Sequence, residues 1–163
     1  MLKSRRSRDK DNFLACQLPQ GSTTIIRTSD TDILVIMLAN VEHLNKSIRV
    51  WMDLGVGNAR RYIDVSALSA QLGSMFSRAL PAFHALTGCD FNPAFKKRPF
   101  DILRKSEIFQ KALADVGSDR CDIQTIFPTL QSFICHMYGL KKLADVNQAR
   151  FDIFNKTNKV HDT

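Results

Sequence analysis

No apolar run in this 163-residue chain approaches the ~20 residues that an ordinary membrane-spanning helix needs. The opening segment, MLKSRRSRDKDNF, is basic and has no apolar stretch of the kind a secretory signal requires, so nothing in it argues for export. Cysteine is sparse: Cys16, Cys89, Cys121 and Cys135 stand without a C-x-x-C pair, and no histidine pair has zinc-finger spacing. A structural zinc site is therefore not expected, and the cysteines read as reduced and mostly buried, as in intracellular proteins. Internal repeats and low-complexity segments are also missing. What remains has ordinary globular composition, 44% apolar and 24% charged, and the length of one domain with a real core, too short for two comfortable ones.

The formal charge is +7, and the first ten residues carry much of it: Lys3, Arg5, Arg6, Arg8 and Lys10 against Asp9 alone. A basic balance favours polyanionic partners through phosphate contacts and counterion release. KSRRSRDK reads equally as a nuclear-localisation patch, a nucleic-acid arm or a solvated tail. The expected partner is nucleic acid, DNA before RNA, with no membrane; the expected location is intracellular and nuclear.

Residues 1–22 are polar, end in PQGS, and read as tail and turn. TTIIR is β-rich and reads as a strand. DILVIML is too short for periodicity to separate a buried strand from a helical turn. Asp30 is a good N-cap, with Thr31 and Asp32 in the first turn, so the reading leans to strand, Ser29–Asp30, then a short helix. SIRVWMDL alternates as a strand, GVGNARR supplies a turn, and YIDV reads as the hairpin partner. VSALSAQLG reads as a helix stopped by Gly73. SMFSRALPAFHALTG repeats the pattern, with Ser74 as a cap and Pro81 implying a kink or break. Further helical stretches are expected near 100–116, 121–138 and 145–156. The expected fold is α/β, three or four short strands followed by a helical half over residues 23–157, with 158–163 as a tail. So thin a parallel layer usually has further strands, so the chain reads as the second part of a larger domain.

Ligands of open α/β sheets collect beyond the carboxyl ends of the strands. Asp30 and Asp32 stand at such a junction, and Asp90 follows Gly88 in HALTGCDFNPAF. Three aspartates at element ends suit a hard, oxygen-seeking cation, magnesium or manganese, and two such ions ~4 Å apart activate water and stabilise the leaving oxygen of a phosphodiester. The plainer alternative is that Asp30 caps a helix, Asp32 complements its dipole and Asp90 holds a turn. On spacing alone the plainer alternative has the stronger claim, because D-x-D is short.

IIRTSDTDILVIML together with LSAQLGSMFSRALPAFHALTGCDFNPAF resembles the latter part of the catalytic domain of the flap-endonuclease-like, PIN-like nucleases. More closely, it is similar to animal proteins with the pattern DTDVLVL, then RYIDI, then LPGLHAFTGCD, some of mobile-element origin. The resemblance spans residues 23–157. It implies a partial Rossmann-like layer, Asp30, Asp32 and Asp90 as catalytic metal ligands, and a magnesium- or manganese-dependent nuclease as parent. Two departures stand out. The family also draws carboxylates from upstream, whereas here only Asp9 and Asp11 precede Thr23. After the third acid the family carries a glycine-containing loop, whereas NPAFKKRPF has none, removing the close backbone approach that glycine permits. The expectation is a weak or inactive remnant; the alternative is a catalytically dead nucleic-acid-binding or protein-interaction domain.

Lys96, Lys97 and Arg98 are the expected phosphate contacts, or else a solvated helix start. Arg104 and Lys105 extend that patch; Lys141 and Lys142 do not. Trp51 and Met52 read as packing residues, His84 as a packed histidine in preference to a neighbour of Asp90, and most of Phe100, Phe109, Phe127, Phe133, Phe151 and Phe154 as core.

Overall fold

A computed structural model describes residues 19–88, 99–116, 118 and 121–158. The chain divides into two compact units, Met1–His84 and Ala85–Thr163. As the patterning predicts, the architecture is α/β, a small mixed sheet followed by helices. Pro19–Ser22 forms the expected turn, closed by the Ser22 amide on the Pro19 carbonyl at 3.2 Å.

In the first unit, β1 (Thr23–Thr28) pairs in parallel with β2 (Arg49–Leu54), from Thr23 opposite Arg49 to Thr28 opposite Leu54. Parallel pairing requires a crossover, and α1 (Thr31–Asn40) provides it. DILVIML is thus helical. β3 (Arg61–Asp64) returns antiparallel to β2, giving the order β1-β2-β3. Side chains alternate faces along a strand, so Val50, Met52 and Leu54 point to one side and are buried there. Helix α2 (Val65–Leu72) packs on β2, and α1 packs on α2. Burying a side chain such as Val50 or Met52 contributes about 1.5–3 kcal/mol.

Asp64 caps α2 by accepting from the Ala67 amide at 2.8 Å. The helix stops at Gly73, whose φ of +82° suits a residue without Cβ. Helix α3 (Ser74–Thr87) then runs through Pro81 without the break that proline suggests. Its buried stripe of Phe76, Ala79, Leu80 and Phe83 supplies more than the ~3 kcal/mol an internal proline costs. Ser74 lies inside this helix rather than capping it, and its hydroxyl donates to the Glu42 carboxylate.

The second unit contains α4 (Pro99–Arg104), α5 (Glu107–Asp115), α6 (Ile123–Met137) and α7 (Val146–Asn158). The stretch expected as one helix over 100–116 is two, because extended Ser106 restarts the chain and accepts from the Phe109 amide. Asp122 caps α6 through the Gln124 amide at 3.1 Å. Leu103, Leu113, Phe133, Cys135, Met137 and Ala149 are buried.

The phenylalanine expectation fails in part. Phe109 and Phe133 are core, but Phe100, Phe127, Phe151 and Phe154 are 44–63% exposed. Helical spacing places residues on a common face without saying which face is inward. In α7 the inward position is Ala149, and positions two and five further on fall on the far side at ~100° per residue.

Candidate functional site

The junction between β1 and α1 is tied by short local bonds. The Asp30 amide donates to the Thr28 hydroxyl at 3.0 Å, and Asp30 Oδ1 accepts from the Asp32 amide at 2.8 Å. Asp30 is thus the N-cap of α1, with extended backbone (φ −99°, ψ 121°), satisfying one of the amides that a helix start leaves open.

Asp32 does something different. Its Oδ1 lies 2.7 Å from His84 Nε2, both side chains being about one-third exposed. The histidine expected as a packed residue is the partner of Asp32, reached across 52 positions. Asp90, Lys96, Lys97 and Arg98 lie outside the described residues.

Two carboxylates serve a magnesium ion only when both turn toward it, at ~2.1 Å. Here one oxygen of Asp30 faces the helix backbone and one of Asp32 an imidazole. Among the described residues no three His, Cys, Asp or Glu side chains gather as a metal cluster. This donor set alone does not fit a two-ion centre.

A second polar constellation lies on the sheet face opposite Met52. Arg27 and Asp53 are register partners. Arg60, from the turn before β3, binds Asp53 with both prongs: Nε to Oδ1 and Nη2 to Oδ2, each at 2.6 Å. Arg27 Nε stands 3.7 Å from Oδ2. The same Arg60 Nη2 donates to the Tyr62 hydroxyl at 2.7 Å, and the guanidinium carbon lies 5.3 Å from the Tyr62 ring centre. The hydrogen-bonded guanidinium of Arg60 lowers the Asp53 carboxyl below its usual range against the opposing pull of burial, with the Arg27 charge assisting. Arg60 in turn is raised, chiefly by its hydrogen bond to Asp53. Sequence reading treated Arg60 as a turn residue and missed this group. The available signal was period-two alternation, which puts Asp53 opposite the apolar face of β2.

A pH dependence follows. A carboxyl depressed in the folded state stabilises fully above its unfolded value of ~3.9 and loses that contribution as pH falls through the depressed one. Asp122, lowered chiefly by the Thr125 hydroxyl, acts in the same sense. Thermal midpoints recorded from neutral pH down to ~3 should therefore show the advantage of wild type over Asp53→Asn shrinking in acid. A constant difference would mean that the ion pair contributes nothing that titrates.

In the second unit, an open cavity of about 680 Å³ has an apolar lining that includes Ile102, Ile108, Phe109 and Pro128, with Lys105 and Lys141 also lining it. No helix among the described residues is long and apolar enough to cross a membrane. No family model, curated protein or solved structure matches this chain. The likeness to flap-endonuclease-like nucleases therefore stands on the motif residues alone.

Proposed function

We propose that this chain is the carboxyl-side portion of a flap-endonuclease-like domain, acting on nucleic acid with little or no phosphodiesterase activity of its own. The supporting observation is that the parallel β1–α1–β2 unit sets Asp30 and Asp32 beyond the carboxyl end of β1, where α/β layers hold their ligands. Magnesium or manganese would engage these two only together with Asp90, and Lys96, Lys97 and Arg98 would meet phosphate. A nuclear location belongs to the same proposal, through the basic opening segment. The low activity is supported by the existing engagements of Asp30 and Asp32.

The pairing of Asp32 with His84 also favours a second reading, a nucleic-acid-binding module that has lost the chemistry. Magnesium titration followed by thermal unfolding separates the two, because an ion that binds only the folded state raises the midpoint with concentration. A ~millimolar effect abolished in Asp32→Asn, with slow or absent cleavage of flap DNA, is the expected result. No metal effect, with unchanged nucleic-acid affinity in Asp32→Asn, would establish the binding module instead. Efficient cleavage lost in Asp30→Ala would overturn the low activity.

A further inference from the structure

We infer that the cavity of the second unit is a binding site for a small amphipathic monoanion, a medium-chain carboxylate. The inference goes beyond the nucleic-acid reading and stands whether or not that reading holds. The walls come from α4, α5, α6 and the residues next to them, all within one unit. Further strands of a larger domain would join the sheet, which supplies no wall. The volume of about 680 Å³ falls in the range of small-molecule clefts, ~300–1,000 Å³. A helix, ~10–12 Å across with its side chains, does not fit inside.

The lining is graded from apolar to cationic. Phe109 meets both Phe133 and His136 edge-on, so the start of α5 lies beside the end of α6. Lys105, just before α5, and Lys141, just after α6, therefore stand at that same end, and both are exposed. Pro128 lies ~12 Å back from His136 along α6. Ile102, Ile108, Phe109 and Pro128 give the site an apolar body long enough for a hydrocarbon chain. Lysine stems lie along apolar surface while their ammonium groups reach water, which makes this end a mouth for a charged head. The lining holds one carboxylate against them, Asp101, and among the described residues the ion pairs lie elsewhere, at Asp53 and Asp32. The surplus of one positive charge selects a single negative charge on the ligand. A nucleic-acid strand brings many, and would set phosphates against Asp101 and an apolar wall.

Isothermal titration calorimetry of the full chain with decanoate, kept below the concentration at which it forms micelles, tests the site. Saturable binding of one decanoate per chain is expected, about 10-fold tighter than decanol, because the carboxylate adds a charge-assisted hydrogen bond. Decyltrimethylammonium, with the same chain and the opposite charge, should not bind. Lys105→Gln combined with Lys141→Gln should bring decanoate down to the affinity of decanol and leave decanol unchanged. Ile108 is 71% exposed near the start of α5, where a negative charge suits the helix. Ile108→Asp should therefore abolish decanoate binding in a protein that circular dichroism shows to be folded. Ile123→Asp, at a matching exposed position at the start of α6 and outside the cavity, should leave binding intact. Absence of saturable binding overturns the site. Equal binding of decanoate and decyltrimethylammonium also overturns it, as does equal loss in Ile108→Asp and Ile123→Asp, since either means that the chain adsorbs amphiphiles without using the cavity. Decanoate affinity that survives exchange of both lysines overturns the selection of an anion.

Discussion

Phe133→Ala is expected to destabilise the second unit by about 3–5 kcal/mol, the usual cost of removing a fully enclosed phenylalanine and leaving its space behind. Phe133 has no exposed surface and meets Phe109 edge-on, with ring centres 5.2 Å apart at 65°. His136 presses on the same Phe109 ring at 5.1 Å, its Nδ1 bonded to the Ser132 carbonyl at 2.8 Å. Truncation at 133 removes one side of a three-ring stack and loosens α6 from α5. Urea unfolding together with amide exchange along these two helices measures the loss. Phe127→Ala is the comparison, because Phe127 stands on the same helix but is 52% exposed, and such a change stays within ~0.5 kcal/mol. Equal effects at the two positions would mean that the core of this unit is wrongly placed.

Gly55→Ala should be the most damaging small change in the first unit. Gly55 follows β2 with φ of +91°, and a Cβ there would sit 2.7 Å from the Ala59 carbonyl oxygen. Unfavourable φ alone costs about 1–3 kcal/mol, and the backbone overlap adds to it, because a carbonyl cannot swing aside as a side chain can. Gly57 is the control: its φ of +56° is left-handed too, but a Cβ at that position would meet nothing within 4 Å. Gly57→Asn should therefore cost no more than ~1–2 kcal/mol. The Gly55 turn also delivers Arg60 to Asp53. Thermal melts of both variants should show Gly55→Ala as clearly the worse, and its loss of acid sensitivity would mark the displaced ion pair.

The features that were readable from sequence are those whose cause lies within a few residues. Asp30 before an apolar run is a cap because the amide it binds is two positions away, and Gly73 is a stop because no side chain can clash there. The alternation of SIRVWMDL marked a strand, and β2 is one. Asp32 with His84, and Asp53 with Arg27, depend on how distant segments are brought together, and no local pattern carries that information. Pro81 misled for the opposite reason: the local rule was sound, but the buried stripe of α3 outweighs it. The exposed phenylalanines of α7 show that periodicity gives an angle without an origin.

Cys135 gives the second unit a built-in chemical clock. Its sulfur is wholly enclosed on α6, and burial, with some help from the nearby Asp145 charge, raises the thiol above its ordinary value. Disulfide reagents attack thiolate, so labelling at this position must wait for the helix to part from its neighbours. At saturating reagent, its modification rate is the opening rate of that helix.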